Sequence, residues 1–138
     1  MLYIETLKRV KDYEEAIYLS CERLCRHGLI EKRYYHAILN IIDEYGGYFY
    51  LGNGICMPHA RMEEGVIHSG MCLVKLKKPV DFYGHSVRVF FTIAAKNDEC
   101  HFEQMKKIAE VCMEKELLQQ LMETDDEQEL YKILGGRA

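Results

Sequence analysis

One strand-like segment constrains the fold of this chain more than any other part of its sequence. The residues from Val87 to Ala95 are Val-Arg-Val-Phe-Phe-Thr-Ile-Ala-Ala, a largely apolar run that is rich in β-branched and aromatic side chains. Such residues favour strands, and a strand that is apolar on both faces needs to be covered on both faces. We therefore predict that Val87–Ala95 is a central strand of a sheet.

The hydrophobic period on either side of this strand changes in a definite order. Apolar residues recur with the helical period near the two ends of the chain, and the period shortens in the middle. The predicted elements are helices over 12–26 and 31–45, strands over 48–51, 55–57, 69–76 and 87–95, a helix over 100–115, a short helix or its continuation over 116–122, and a last helix that ends at 135–136. Helices therefore come first, strands occupy the middle, and helices return.

Glycine, proline and capping residues predict where several of these elements begin and end. Gly46-Gly47 ends the second helix, and Lys77-Lys78-Pro79 ends the third predicted strand. Thr124 and Glu127 have the spacing of a capping box for the last helix. The side chains predicted to face the core are residues 13, 16, 17, 20, 21 and 24 of the first helix, Tyr34, Ile38, Ile41, Ile42 and Tyr45 of the second, and Met105, Ile108, Ala109 and Cys112 of the third.

This order of elements predicts the fold class α/β, with an α+β mixed sheet. A central mixed β-sheet covered by helices on both faces buries the apolar side of every predicted element. No repeat, low-complexity tract or linker interrupts the chain. We therefore expect residues 1–138 to form a single domain.

The charge and hydropathy of the chain exclude some classes of partner. The formal net charge is -4, and the lysines and arginines are spread along the sequence. Nucleic acid is therefore not an expected partner, because binding the phosphate backbone needs a concentrated basic face. No apolar run approaches the roughly 18 residues of a membrane span, and Met1–Arg9 lacks the order of a secretory signal. We expect a cytoplasmic protein without direct membrane insertion.

The six cysteines do not have the spacing of a metal site or a disulfide framework. There is no Cys-x-x-Cys motif and no paired Cys/His cluster with zinc-finger spacing. Cys56 and Cys72 lie in apolar strand-like runs, and Cys112 lies on the apolar stripe of a helix. We therefore predict reduced, mostly buried thiols and no metal.

The stretch from Gly54 to Arg61, Gly-Ile-Cys-Met-Pro-His-Ala-Arg, places one histidine in a rigid setting. Pro58 fixes its own φ and biases Met57 toward an extended conformation, so His59 should lie where a short strand ends. A histidine held in this way can act as a nucleophile, an acid–base group or a metal ligand near neutral pH. The residue pattern alone leaves these alternatives open.

His101 is the second candidate, because it falls in the first turn of a predicted helix after the polar loop Lys96–Glu99. A helix N-terminus offers unpaired N–H groups and the positive end of a dipole to an anion. An anion bound to His59 could therefore be stabilised by His101 if the fold brings the two together. His27, His36, His68 and His85 are predicted to be surface or loop histidines.

Nearly the whole chain, from Asp12 to about Leu134, resembles the IIA component of the fructose-mannitol family of sugar phosphotransferase systems (type 2 EIIA). The shape Pro-His-Ala-Arg-x-Glu at residues 58–63 is most similar to the ascorbate-type branch of that family. The residues that support the resemblance are Glu14-Glu15-Ala16, Gly28, Tyr34 and Tyr35, the Gly54–Arg61 stretch, Gly65-Val66, Leu73-Val-Lys-Leu-Lys-Lys-Pro-Val-Asp-Phe82, Val87–Ala95, Asp98 and His101.

The resemblance implies a phosphotransferase component that works through a phosphohistidine. His59 would take a phosphoryl group from the small carrier protein HPr and pass it to a cysteine of a IIB component. That IIB component would phosphorylate sugar during uptake through a membrane IIC permease. His101 corresponds to the family's second histidine and would stabilise the phosphate. The resemblance implies no cofactor, because the phosphoryl group passes between protein side chains.

The chain departs from the family pattern near the end of the second helix. The mannitol and fructose branches usually have Arg-Glu there, whereas this sequence has Asp43-Glu44. Arg61 would then supply positive charge to the phosphate or to a partner, or it is a solvated side chain in the loop. The alternative function is an EIIA-like regulatory module that senses phosphorylation without feeding a transporter. The residues do not identify the sugar.

Overall fold

The computed structural model describes residues 1–135. The elements along these residues are β1 (Leu2–Leu7), α1 (Tyr13–Arg26), α2 (Arg33–Tyr45), β2 (Tyr50–Gly52), β3 (Ile55–Cys56), β4 (Gly70–Phe82), β5 (His85–Ala94), α3 (Asp98–Met113), α4 (Lys115–Glu123) and α5 (Glu127–Leu134). Short 3-10 turns at Gly47–Phe49 and Met62–Glu64 lie on either side of β2 and β3.

The strands form one five-stranded mixed sheet in the order β1-β4-β5-β3-β2. β4 and β5 pair antiparallel, β1 is parallel to β4, and β3 is parallel to β5. β5 therefore occupies the middle of the sheet, as its apolar sequence predicts. Because β3 and β5 are parallel, both strands end at the same edge of the sheet. The chain continues from β3 to His59 and from β5 to α3.

Helices cover both faces of this sheet, which confirms the predicted fold class. One core contains α1 and α2 packed against alternate residues of the central strands, among them Val74 and Phe90. The other contains α3, α4 and α5 packed against the intervening residues, among them Leu73 and Phe91. These four side chains are fully buried, because neighbouring residues of a strand point to opposite faces.

The first element of the fold is a strand, β1, so the prediction that helices come first is wrong. β1 lies at the sheet edge and pairs residue by residue with β4, from Leu2 opposite Met71 to Leu7 opposite Leu76. Only Ile4 of β1 is fully buried, and its neighbours are half-buried. Because burial does not alternate along β1, its sequence shows no regular alternation of apolar and polar residues that would predict a strand.

The predicted end of the third strand at Lys77-Lys78-Pro79 is also wrong, because β4 continues to Phe82. The register against β5 shifts between Lys75 and Val80, and pairing resumes from Val80 opposite Val87. Pro79 lies inside this irregular part of the ladder, where its missing N–H removes no regular hydrogen bond. The second half of β4 and the start of β5 form a hairpin.

The inner faces of the helices agree with the prediction for α1 and differ for parts of α2 and α3. In α2, Tyr45 is exposed, although Tyr34, Ile38 and Ile42 are buried as predicted. In α3 the buried residues are Gln104, Ile108 and Val111, whereas Met105 and Ala109 are exposed and Cys112 is half-buried.

The inner face of α3 differs from the predicted one because a polar side chain, that of Gln104, is buried on it. The Gln104 amide nitrogen donates hydrogen bonds to the carbonyl oxygens of Gly70, at 3.1 Å, and Ala94, at 2.8 Å. A glutamine that bonds two strand ends in this way occupies an inner position that a hydrophobic pattern assigns to apolar residues. The apolar stripe alone therefore places the inner face incorrectly.

Several predicted boundaries shift by a few residues. α3 begins at Asp98, where the Asn97 side chain caps it by accepting a hydrogen bond from the Cys100 N–H. α5 is capped by Asp126, so the predicted Thr124–Glu127 capping box is wrong. The first two residues of the predicted strand over 48–51 lie in the 3-10 turn before β2, and the last two lie in β2. Gly136, in the predicted end of the last helix, lies outside the described residues.

Two further sequence predictions concern thiols and membrane spans. Cys56 and Cys72 are buried as predicted, and burial raises the pKa of each thiol to about 12, so neither thiol is ionised near neutral pH. Across residues 1–135, no helix has both the length and the apolar character needed to cross a membrane.

Candidate functional site

His59 lies just beyond the end of β3, in a segment that neighbouring strands and turns hold in place. The Met57 N–H donates to the Phe49 carbonyl at 3.0 Å, and the Ile93 N–H donates to the Pro58 carbonyl at 3.0 Å. Pro58 has no N–H of its own, so its carbonyl is its only backbone hydrogen-bonding group. These two bonds tie the backbone immediately before His59 to Phe49 on one side and to Ile93 of β5 on the other.

Within residues 1–135, one nitrogen of the His59 ring makes a hydrogen bond and the other has no hydrogen-bond partner. Nδ1 lies 2.9 Å from the carbonyl oxygen of Met57, which can only accept a hydrogen bond, so Nδ1 holds the ring proton. The lone pair of the neutral imidazole is then on Nε2. The Phe49 ring packs against the imidazole with its centroid at 5.1 Å and limits its rotation. Phe49 was predicted to lie in a strand, and no pattern in the sequence predicts this contact.

His101 is in the first turn of α3, and its ring approaches that of His59. The two ring centroids are 5.1 Å apart, with an angle of 47° between the ring planes. The structure therefore brings together the two histidines that the sequence could only place separately at a strand end and a helix start. Both side chains are half-buried, so an incoming group can reach them.

The surroundings of His59 favour its neutral form. Burial lowers its pKa below the ordinary value of 6.5, and the nearby His101 lowers it further, while the hydrogen bond to Met57 opposes the shift. A lowered pKa leaves the imidazole uncharged at neutral pH. The Nε2 lone pair is then available to attack an electrophile.

The two histidines open into a cleft of about 640 Å³. Its lining residues are Ile41, Tyr45, Tyr48, Phe49, His59, Ala60, Arg61, Met62, Glu63, Ala95, Asn97, Asp98 and His101. Arg61 lies at the rim with its side chain 84% exposed, and its Nε is 3.5 Å from a carboxylate oxygen of Glu63. Within the described part of the chain, Arg61 is the only lysine or arginine among these lining residues.

The end of α2 contributes Ile41 and Tyr45 to the cleft, whereas Asp43 does not line it. Asp43 is exposed on another side of the helix, near Tyr13, whose pKa is raised chiefly by burial and only slightly by the charge of Asp43. The carboxylate at this departure from the family pattern therefore does not face the two histidines. The aromatic side chains of Tyr45 and Tyr48 occupy this edge of the cleft instead.

The other histidines lie away from the cleft. His27 stacks on Tyr3 with ring centroids 4.2 Å apart, and His85 stacks on Tyr50 at 3.9 Å. His36 and His68 are exposed. Over residues 1–135, no three His, Cys, Asp or Glu side chains are grouped so that they could hold a metal ion.

Comparison with known proteins identifies the family. The family model described as the phosphoenolpyruvate-dependent sugar phosphotransferase system, EIIA 2, matches residues 2–136. The chain is 33% identical over 126 residues to the ascorbate-specific PTS system EIIA component of Escherichia coli, a match that covers 88% of this chain and 82% of that protein. It is 31% identical over 134 residues to the mannitol-specific cryptic phosphotransferase enzyme IIA component of Escherichia coli, covering 96% and 91% of the two chains.

Solved structures agree with these sequence relationships. The solution structure of the mannitol-specific cryptic enzyme IIA from Escherichia coli superimposes with a TM-score of 0.86 at 30% identity, covering 95% of this chain and 90% of that one. The same fold occurs in enzyme IIA mannitol from Escherichia coli, solved in complex with phosphorylated enzyme IIB mannitol, with a TM-score of 0.85 at 24% identity and coverage of 99% and 100%. The chain therefore belongs to the EIIA type 2 family of the phosphoenolpyruvate-dependent sugar phosphotransferase system, and it is a phosphoryl-carrying phosphotransferase component of such a system.

Proposed function

We propose that His59 is the residue that carries the phosphoryl group, and that it does so on Nε2. The observation that supports this most directly is the 2.9 Å contact of Nδ1 with the Met57 carbonyl oxygen. Because Nδ1 holds the proton, Nε2 has the free lone pair and lies on the opposite side of the ring. Nε2 can therefore attack phosphorus without first having to lose a proton.

The transfer exchanges one phosphorus–nitrogen bond for another. The Nε2 lone pair attacks the phosphorus of the phosphohistidine of HPr, the P–N bond in HPr breaks, and its electron pair returns to the HPr imidazole. In the second step a cysteine thiolate of the IIB component attacks the same phosphorus, and the electron pair of the His59 P–N bond returns to Nε2. Catalysis consists largely of positioning and charge stabilisation, and the proposal includes no cofactor.

His101 and Arg61 would offset the negative charge that the phosphoryl group brings into the cleft. The His101 ring is close enough to His59 for its N–H to reach a phosphate oxygen bound on Nε2. Arg61 is at the cleft rim, and among residues 1–135 its exposed guanidinium pairs only with the carboxylate of Glu63. It would exchange this contact for the phosphate or a partner protein.

The proposal extends to the partners and the location of the protein. HPr is the donor, a IIB component is the acceptor, and the IIB component delivers phosphate to sugar that enters through a membrane IIC permease. This relay places the protein in the cytoplasm, with residues 1–138 as a single domain. A IIB partner has support from the structure of enzyme IIA mannitol in complex with phosphorylated enzyme IIB mannitol.

The experiment that tests this function follows the phosphoryl group through the relay. The purified protein is incubated with phosphoenolpyruvate, enzyme I and HPr, and intact mass is measured before and after acid treatment. We expect one acid-labile phosphoryl group on the wild type and none on His59→Ala. Adding a IIB component should then move the label to its cysteine. Retention of the label on His59 with every IIB component tested would favour a regulatory module.

A further inference from the structure

Tyr34, in the first turn of α2, has a fully buried side chain whose hydroxyl reaches the segment around His59. Its oxygen lies 2.7 Å from the carbonyl oxygen of Ile93 and 3.0 Å from the backbone nitrogen of Ala60. The Ala60 carbonyl oxygen is farther away, at 3.2 Å. Ala60 directly follows His59, so the hydroxyl lies beside the proposed phosphoryl carrier without lining the cleft.

The hydrogen-bonding capacity of a phenol decides how these contacts are made. The hydroxyl has one proton to donate and lone pairs to accept with. It donates to the Ile93 carbonyl, which is the nearer acceptor, and it accepts from the Ala60 N–H. Burial raises the pKa of Tyr34, so the proton stays on the hydroxyl. We call this arrangement, Ala60 N–H to Tyr34 hydroxyl to Ile93 carbonyl, the Tyr34 bridge.

Through the Tyr34 bridge, Ile93 is connected to both chain neighbours of His59, namely Pro58 and Ala60. The Ile93 N–H donates to the Pro58 carbonyl at 3.0 Å, on the N-terminal side of His59. The Ile93 carbonyl holds Ala60, on the C-terminal side, through the Tyr34 hydroxyl. Both backbone groups of Ile93 therefore fix the chain on either side of the histidine.

The same strand that these bonds use leads to the second histidine. β5 ends at Ala94, and α3 begins at Asp98 with His101 in its first turn. The position of the His59 segment against Ile93 therefore sets its position relative to His101. A shift of that segment changes the distance between the two rings.

We propose that Tyr34 is a positioning residue, whose hydroxyl sets the spacing and orientation of His59 relative to His101. This inference rests on the proposed function of His59 as phosphoryl carrier. Tyr34 touches no reacting atom, and it acts through the backbone of Ala60 and Ile93. Without the hydroxyl, the Ala60 N–H loses its partner and the segment after His59 is released from β5.

The matched test compares Tyr34→Phe with Tyr35→Phe. Each change removes one phenolic hydroxyl from α2, but the Tyr35 hydroxyl only approaches the Glu14 carbonyl, at 3.5 Å, away from His59. For transfer from phospho-HPr, we expect Tyr34→Phe to lower kcat roughly 10- to 100-fold, as for a misplaced reacting group, with KM unchanged. Tyr35→Phe should retain the wild-type kcat. A Tyr34→Phe variant that folds and transfers at the wild-type rate would overturn the inference.

A second readout separates positioning from general loss of structure and does not depend on phosphate transfer. The His59 ring pKa and tautomer are measured by imidazole nitrogen NMR in the wild type and both variants. We expect Tyr34→Phe to move the His59 pKa toward 6.5 and to weaken the preference for the proton on Nδ1, as the segment becomes more hydrated. An unchanged His59 titration would contradict the positioning role. If the wild type accepts no phosphate, the carrier function fails, but this titration still decides the role of Tyr34.

Hydrogen exchange on the wild type provides a test that needs no folded variant. The Ala60 N–H should exchange slowly because it donates to a buried hydroxyl. The neighbouring Arg61 N–H has no hydrogen-bond partner within residues 1–135 and should exchange fast. Equally fast exchange at both positions would show that the Tyr34 bridge does not form.

Discussion

The ring centroids of His59 and His101 lie 5.1 Å apart, although one residue follows a short strand and the other lies in the first turn of a helix. Their proximity depends on the parallel pairing of β3 with β5 and on the short connection from β5 to α3. In the proposed function, one ring would supply the nucleophilic nitrogen, and the other would stabilise the group that becomes attached to it.

The first prediction concerns the contribution of His101 to transfer. We expect His101→Gln to slow phosphorylation of His59 by phospho-HPr about 10- to 100-fold, less than the roughly 100- to 1000-fold loss typical of a closed oxyanion site, because this cleft is open to solvent. Single-turnover quench kinetics measure the rate. The midpoint of urea unfolding should stay near that of the wild type, because His101 is only half-buried. Wild-type transfer rates in this variant would exclude His101 from the site.

The second prediction concerns pH. Protonation of Nε2 removes the attacking lone pair, and burial holds the pKa of His59 below its ordinary value of 6.5. The single-turnover rate of phosphoryl transfer to His59 should therefore fall to half of its value at pH 8 only below pH 6.5. His59 titration by NMR in the same buffers should give a midpoint that matches the decline. A rate that already halves at or above pH 6.5 would contradict the lowered pKa.

The third prediction separates the two charges at the cleft rim. Arg61→Gln should slow transfer by up to about fivefold, since exposed ion pairs contribute about 0.2–1 kcal/mol and tenfold in rate corresponds to about 1.4 kcal/mol. Glu63→Gln is the matched control, because it removes the carboxylate that pairs with Arg61 at 3.5 Å and leaves the guanidinium free. This second variant should transfer at least as fast as the wild type. Equal rates in the wild type and in both variants would show that Arg61 is a solvated side chain that does not contribute to transfer.

The fourth prediction concerns a buried charge on the opposite side of the molecule from α2. The Lys75 side chain in β4 is fully buried; its Nζ donates to the Thr124 carbonyl and lies 3.3 Å from a carboxylate oxygen of Asp125. Burial lowers the pKa of Lys75, and Asp125 opposes the shift. Asp125→Asn should lower the free energy of unfolding by about 1–3 kcal/mol, below the usual cost of breaking a fully buried pair, because Asp125 is 35% exposed.

Urea unfolding at neutral pH measures this loss, and Lys77→Gln is its control. Lys77 meets the same carboxylate only at 4.0 Å and its side chain is 61% exposed, so its replacement should change the free energy of unfolding by less than about 0.5 kcal/mol. Equal stability of Asp125→Asn and the wild type would show that Asp125 does not compensate the buried charge.

The sequence predicted those parts of the fold whose local pattern agrees with their environment in the structure. Val87–Ala95 is apolar on both faces and lies in the middle of the sheet. β1 was missed because its pairing joins residues that are far apart in the chain, such as Ile4 with Leu73, and this leaves no local pattern. The inner face of α3 was misplaced because a polar residue, Gln104, occupies it.

The site followed the same division between local and long-range information. The proline before His59 and the helix start near His101 are local signals, and both residues lie where these signals place them. Their contact, the packing of Phe49 and the bridge through Tyr34 depend on which strands pair. A pattern along the chain does not contain that information, because such pairing joins segments that are distant in sequence.

The most direct measurement for the central claim locates the phosphoryl group on one atom. The protein is labelled with nitrogen-15, phosphorylated through HPr, and its imidazole nitrogens are observed by NMR with phosphorus coupling. The account predicts one phosphorus-coupled nitrogen, Nε2 of His59, while Nδ1 keeps its proton and its bond to the Met57 carbonyl. Coupling to Nδ1 of His59, or to any other histidine, would contradict it.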